Sequence, residues 1–427
     1  MRALCYIAFY TPNVYNLVYK EVADMDKTFL TEINIVDVRH LQNIRIPLSR
    51  KERKHLILTG KNGSGKTSVL KSLNSFLEYM ISPAFQQDDS RERIAQLKAQ
   101  LCTARDQERM QMHQQIKMIE ANVRRRWNDG CTVSVNSPLS MREKHSKGQF
   151  IVAYYSDNRK LNLQQSQNYA NMELKQVYSP DEHPAKHIGD YLLSLKTTQA
   201  FAKLQGDKKR VREIEKWFQK FEKVLQDIYD EKDLRMKFDL NTRLFTIHLP
   251  DRKPFTLDCM SMGYAAIFDI VGDLMMRMEN QHSYELEGIV MIDEIETHLH
   301  VELQRAIVPI LTALFPNLQF VLTTHSPFIL NSTENSVVFD LQERHHLEAG
   351  LTNYPYDSIV KSYFDTDLLS VQLREKFEEY KRLVQDENSR SNLAKLKRLE
   401  NYLDEIPGFL SLDFAVEYQQ LKLQAGR

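Results

Sequence analysis

The spacing of apolar residues changes period several times along the chain. Residues 30–48 are rich in Ile and Val with partial alternation, which predicts two strands around a turn. His55 to Thr59, HLILT, is a continuous apolar run of the kind a buried strand makes, and it leads directly into glycines. Over residues 67–80 the spacing turns helical through Val69, Leu70, Leu73 and Leu77. Between Ser90 and Trp127 there is neither Gly nor Pro, and charged and Gln residues dominate. Ile94, Leu97 and Leu101, then Ile116, Ile119 and Val123, keep coiled-coil spacing there, predicting a helical arm of one long helix or two short ones.

Strand character returns at 132–136 and 149–155. Helices are expected from about 185 to 232, broken near Gly206, followed by strands at 236–240 and 244–249. A helix at 264–279 precedes two apolar runs, 288–292 and 319–322, that flank a helix at 302–314. Beyond Asp340 the chain reads as mostly helical and highly charged, and no repeat or low-complexity tract interrupts it. A strand, a glycine loop, a helix and later buried strands make an α/β core around a mostly parallel sheet, with helical insertions and a helical appendage.

Composition narrows this picture in two ways. The 57 basic and 57 acidic side chains of the 427 residues cancel, so a polyanion partner would need a local patch. Arg124-Arg125-Arg126 beside Trp127, and Lys208-Lys209-Arg210 with Arg212, are the two candidates, both on predicted helices. The four cysteines (Cys5, Cys102, Cys131, Cys259) are scattered without a CxxC pair, which disfavours a zinc knuckle or disulfide framework and fits a reducing cytoplasm. No apolar run approaches the roughly 20 residues that span a bilayer. The apolar N-terminus is interrupted by Pro12, Asn13 and Asn16 and lacks a small-residue cleavage site, so it reads as an extension or edge strand; Met25 is an alternative start.

Three segments carry chemistry. Gly60-Lys61-Asn62-Gly63-Ser64-Gly65-Lys66-Thr67 fits GxxxxGK[ST], after an apolar strand and at the start of a helix. Glycines in such a loop let successive backbone N–H groups turn inward around phosphates, with the positive end of the helix behind them. Lys66 is expected to reach the β- and γ-phosphates, and Thr67 to ligate Mg²⁺; Gly60, Asn62, Gly63, Ser64, Gly65 and Ser68 are expected to bind ATP with them. The strand Ile289-Val290-Met291-Ile292 ends in Asp293-Glu294, which delivers one carboxylate to a metal and the next to an attacking water. Thr323-Thr324-His325-Ser326-Pro327 follows another apolar run, where a histidine can contact the γ-phosphate and sense its loss.

At these sites the chain resembles the ABC-type ATPases of the SMC, RecF and OLD group. MIDEIETHLH looks like that group's Walker B and D-loop, and TTHSPFIL like its switch-histidine strand. The resemblance covers residues 29–341 and implies an ABC-type P-loop head with ATP and Mg²⁺ as cofactors. VRHLQNIRIPL resembles the group's first strand pair, whose arginine, here Arg39, faces the nucleotide. The family also implies a signature loop of the form LSGGQ. Met260-Ser261-Met262-Gly263-Tyr264 is the best match; it keeps the serine and second glycine but lacks the first glycine and the glutamine. Ser261 and Gly263 would then face the γ-phosphate held by another subunit, the alternative being an ordinary helix-capping serine. At the end of the strand FIVAYY, Ser156-Asp157-Asn158-Arg159 occupies the Q-loop place without a glutamine.

The expected division is an N-terminal extension (1–28), a head lobe with the P-loop (29–83), a short coiled-coil arm (84–130), head strands (131–180), a helical insertion (181–233), a second head lobe (234–345) and a helical C-terminal region (346–427). The layout is similar to ATPase subunits of bacterial anti-phage systems of the Septu and PARIS type. With no Toprim-like acidic set, HNH or PD-ExK pattern in the chain, that resemblance implies a homo-oligomer of head-to-head pairs acting with an effector in trans, a nuclease or toxin. DNA or a phage protein would be the trigger, and no membrane is involved. The rival readings are a RecF- or SMC-like DNA repair ATPase and a non-catalytic ATP-bound scaffold.

Overall fold

A computed structural model describes residues 27–83, 90–101, 106–126, 130–159, 174–347, 351, 371–385, 393–404 and 412–425. The expected N-terminal extension therefore lies outside the described residues, apart from its last two. Two compact units divide the chain at residues 352 and 353.

The first unit holds three sheets: two with a helix between them, and a small antiparallel one. Strands β1 (Leu30–Val38), β2 (Leu41–Pro47), β3 (His55–Thr59), β4 (Cys131–Val135) and β5 (Phe150–Tyr155) come from its first half. Strands β6 (Arg235–Phe238), β7 (Phe245–His248), β8 (Phe255–Thr256), β9 (Glu287–Ile292), β10 (Leu318–Thr323), β11 (Ser336–Asp340) and β12 (His346–Leu347) come from its second. The sheet β2-β1-β4 and the small sheet β6-β7-β8 are antiparallel. The main sheet has the order β12-β11-β3-β10-β9-β5; all but β12 run parallel. Every residue of β3, β5, β10 and β11 is buried, as expected of parallel strands covered on both faces.

Helix α1 (Lys66–Ile81) follows β3 and touches strands of the β2-β1-β4 sheet and of the main sheet. Val69, Leu70, Leu73, Phe76, Leu77 and Met80 share one core with Ile33, Ile35, Leu56 and Val321. Each such side chain contributes about 1.5–3 kcal/mol when removed from water, so this face fixes the helix against the sheets. The arm has two helices, α2 (Ser90–Leu101) and α3 (Asp106–Arg126). Arg124, Arg125 and Arg126 close α3, but their side chains lie outside the described residues. Helix α4 (Pro138–Ser146), which the apolar spacing does not reveal, begins with Pro138 at the first helical position, where its missing N–H costs nothing.

The helical insertion comprises α5 (Ile188–Gln205) and α6 (Lys208–Tyr229); Gly206, at φ 72°, ends the first. Helix α7 (Met262–Glu279) is buried over most of its length. Its Asp273, itself inaccessible, accepts from Arg277 Nε (2.7 Å), Tyr155 Oη (2.7 Å) and the Ala185 amide (3.1 Å), tying the helix to the end of β5. Helix α8 (Val301–Leu314) and the single turn α9 (Pro327–Leu330) complete this unit. In place of helix directly after Asp340, the short strand β12 pairs back on β11. The second unit contains α10 (Val371–Gln385), α11 (Leu393–Asp404) and α12 (Leu412–Ala425), which bury Phe377, Tyr380, Leu403 and Tyr418 together. Among the described residues no helix is long and apolar enough to cross a membrane.

Candidate nucleotide site

Strands β3, β10 and β9 are neighbours and parallel, so their carboxyl ends open on one edge of the main sheet. In open α/β sheets that edge is where ligands bind. The loop after β3, the Asp293-Glu294 pair after β9 and His325 after β10 are thereby brought together by topology.

The loop turns through Gly60, Gly63 and Gly65, all at positive φ. Gly65 shows why the residue type matters: at φ 98° it caps α1, and a Cβ there would lie 2.9 Å from Leu41 Cδ1. No side chain caps the helix, which leaves its first-turn amides free for an anion. Lys66 is buried, and its ammonium donates to the carbonyls of Gly60 (2.8 Å) and Lys61 (3.2 Å). Burial lowers the Lys66 pKa, opposed by Glu294, Glu296, Asp293 and Asp340. Ser64 Oγ is buried without a partner, Thr67 and Ser68 are half-buried, and Asn62 is exposed at the loop tip. Arg39, exposed at φ 55°, sits in the turn before β2, and the ring of its neighbour His40 lies 3.8 Å from where a Gly65 Cβ would be.

Asp293 is fully inaccessible. Its Oδ1 accepts from Thr323 Oγ1 at 2.6 Å, whereas its Oδ2 is buried with no partner at all. A native interior rarely leaves a carboxylate oxygen orphaned, because the lost hydration costs about 1–3 kcal/mol or more. A divalent cation shared with Thr67 fits that donor set, since a hard ion takes carboxylate and hydroxyl oxygens. Glu294 stands at φ 44°, a left-handed conformation uncommon outside glycine, and its amide donates to Thr323 Oγ1 at 2.7 Å. His325 is half-buried; burial, then Lys66, lowers its pKa against the pull of Asp293.

Three side chains hold this geometry, two of them, Thr323 and Glu296, with no role of their own in the sequence motifs and the third, Arg159, from the segment in the Q-loop place. Thr323 bridges Asp293 and the Glu294 amide. Glu296, its pKa raised chiefly by burial, accepts from Thr324 Oγ1 (2.8 Å) and from the His325 amide, joining the segment after β9 to the one after β10. Arg159 is buried and donates to the carbonyls of Asp293 (2.6 Å) and Glu294 (2.7 Å), so a cation from the β5 end clamps the strained peptide. Its sequence signal is an arginine four positions beyond a fully apolar strand, where the fold expects a polar residue.

Ser261 and Gly263 are placed differently. Ser261 is the exposed N-cap of α7, yet its hydroxyl makes no capping bond. A plain capping serine would bond an amide of the first turn. A Cβ on Gly263 would lie 3.2 Å from the His298 carbonyl and 3.0 Å from Leu303 Cδ1, so this glycine lets α7 approach the segment after β9. Among the described residues, no hydrogen bond joins Ser261 or Gly263 to the glycine loop of their own chain.

Residues 156–331 match the family described as "AAA domain, putative AbiEii toxin, Type IV TA system". The Septu protein PtuA of Bacillus mycoides (strain KBAB4) is 23% identical over 332 residues, 76% of this chain and 42% of that protein. The "Retron Vc95 probable ATPase" of Vibrio cholerae serotype O1 biovar El Tor is 35% identical over 89 residues, 20% of this chain and 17% of that protein. The chain thus spans less than half the length of these relatives. Among solved structures, the SMC head domain from Thermotoga maritima aligns with a TM-score of 0.35 at 11% identity, covering 73% of this chain and 94% of that one. By its motifs and its topology the chain carries an α/β head with a P-loop, and over the matched regions its sequence is similar to Septu PtuA and to the retron ATPases.

Proposed function

We propose that this chain is an ATP-hydrolysing switch in which two heads close on Mg-ATP and, by closing, hold or release an effector nuclease or toxin in anti-phage defence. The observation that supports the ATP site most directly is the buried, unpartnered Oδ2 of Asp293 on the same sheet edge as Lys66. Magnesium, held by Thr67 and Asp293, supplies charge neutralisation at the β- and γ-phosphate oxygens when bound. The free amides at the start of α1 donate to those oxygens, and the Lys66 ammonium exchanges its carbonyl partners for them. Glu294 accepts the proton of the attacking water as its oxygen bonds to the γ-phosphorus and the bond to ADP breaks. Arg159 and Thr323 keep that carboxylate aimed by fixing its peptide on both sides. His325 donates to the γ-phosphate and, through Glu296, reports its loss to the segment after β9.

Ser261 serves the nucleotide of a facing head, which its exposure and its hydroxyl's lack of a capping bond favour, and buried Gly263 lets the start of α7 sit close to the segment after β9. The effector role rests on similarity to Septu PtuA and the retron ATPases. The helical arm and C-terminal helices are the parts available to sense DNA or a phage component and to carry the effector.

The test is Glu294→Gln, which preserves shape and removes the base. Phosphate release from Mg-ATP should fall by about 10²–10⁴-fold, while ATP affinity stays within about threefold. Turnover close to that of the unaltered protein would remove Glu294 from the reaction.

A further inference from the structure

A cavity of about 440 Å³ lies between α5, α6 and the end of α7, lined by residues to which the ATP site gives no role. This size suits a small-molecule site. At its inner surface is Glu279, whose carboxylate is 5% exposed. Tyr191 Oη donates to Oε1 at 2.8 Å, while Trp217 Nε1 (2.8 Å) and Tyr284 Oη (2.7 Å) donate to Oε2. A buried carboxylate is costly unless a cation or several donors hold it. Here the three donors are neutral, and the base nearest Oε1, the exposed His282 ring, stands 3.8 Å away. Burial, then Glu279, keeps the pKa of both phenols well above the ordinary range, so they remain donors. Oε2 takes two hydrogen bonds and Oε1 only one, which leaves Oε1 able to accept another from inside the cavity.

The walls and mouth have a different chemistry. Tyr191, Trp217 and Tyr284 present aromatic surface, and Arg210, Lys216 and Lys220 are exposed at the opening. The Arg210 charge is met by Glu213 at 3.1 Å, and the Lys220 ammonium lies 4.0 Å from the centre of the Tyr284 ring. Arg210 also belongs to the basic run Lys208-Lys209-Arg210 with Arg212 at the start of α6, which the ATPase account leaves unused. From inside to outside the order is therefore a hydrogen-bond acceptor, flat π surfaces, then cations. A basic peptide side chain would suit the carboxylate but would have to pass the cations at the mouth.

We infer that this cavity binds a nucleotide whose base carries an amino group. The amine donates to Glu279 Oε1, the ring lies against the aromatic walls, and the phosphate meets Lys216, Lys220 and Arg210. The same chemistry is offered by a free mononucleotide and by the 5′-phosphorylated end of a single strand, whose backbone would continue onto the basic run of α6. Uracil and thymine fit less well, since they lack the amine and their one ring N–H is flanked by two carbonyl oxygens that would face the carboxylate.

Nucleoside monophosphates separate this site from the P-loop, which reads β- and γ-phosphates. Calorimetric titration of the full chain with CMP, AMP and UMP should give binding by CMP and AMP, with UMP weaker by about tenfold or more. Lys216→Glu with Lys220→Glu, two exposed changes that spare the interior, should weaken CMP and AMP by at least about tenfold. Glu279→Gln should erase the preference over UMP; if it does not fold, the mouth variant decides alone. A 5′-phosphorylated oligo-dC that binds tighter than CMP and with a steeper salt dependence identifies a strand end as the ligand, and equal affinity identifies the free nucleotide. The inference is overturned if CMP, AMP and the oligonucleotide all fail to bind at millimolar concentration, if the mouth variant binds them unchanged, or if a triarginine peptide binds in their place.

Discussion

Lys66→Ala is expected to weaken ATP binding by at least about thirtyfold, since truncating one partner of a buried charge-assisted contact costs about 2–5 kcal/mol. The ammonium is already buried in the glycine loop and held only by the Gly60 and Lys61 carbonyls, so it needs little reorganisation to meet phosphate. Its surroundings are acidic: Glu294, Glu296, Asp293 and Asp340 all favour its charged form. Removing it leaves those carboxylates facing the phosphates without the cation between them, so loss of attraction and gain of repulsion act in the same direction. The fold should survive, because the loop carbonyls it leaves can be reached by water. Equilibrium binding of a fluorescent ATP analogue measures the effect, and an affinity within a few-fold of the unaltered chain would refute the loop's assignment.

Ser261→Arg is expected to separate binding from turnover. The serine is exposed and its hydroxyl spends no bond on the helix it caps, so the substitution should leave the fold and the chain's own ATP affinity nearly unchanged. Phosphate release should nevertheless fall by about 10²–10³-fold, the usual cost of losing a preorganised donor at the reacting group. A long cation at that point also obstructs the facing γ-phosphate. Normal turnover would make the segment 260–264 no more than a helix start, and loss of ATP binding would assign Ser261 to its own P-loop.

The parts of this site legible in the sequence are those that a local pattern encodes. A glycine loop between a buried strand and a helix, an apolar run ending in Asp293-Glu294, and His325 after another apolar run each announce themselves within ten residues. Their convergence also follows from the pattern, because parallel strands put all three carboxyl ends on one edge. What holds them in place is not local. Arg159 meets the Asp293 and Glu294 carbonyls across more than 130 positions, with sequence separations of 134 and 135. Thr323 and Glu296 act across separations of 30 and 28 or 29. No periodicity reports a polar contact between two strand ends. The helix at 138–146 escapes for another reason: it buries only Met141 and His145, too few positions to set a helical rhythm. The apolar run of strand β11, Val337-Val338-Phe339, is as short as those of β3 and β10 but leads into no motif that would single it out.

The arrangement of composite sites is tested most directly by mixing two inactive variants. Lys66→Ala keeps its segment 260–264 but lacks a working loop, and Ser261→Arg keeps the loop but lacks a working segment. In an equal mixture half of the pairs are mixed, and each mixed pair rebuilds one of its two sites. Phosphate release from Mg-ATP should therefore recover to about a quarter of that of the unaltered protein at the same total concentration, when each variant alone is inactive. A mixture as inactive as its components would contradict sites completed between two heads.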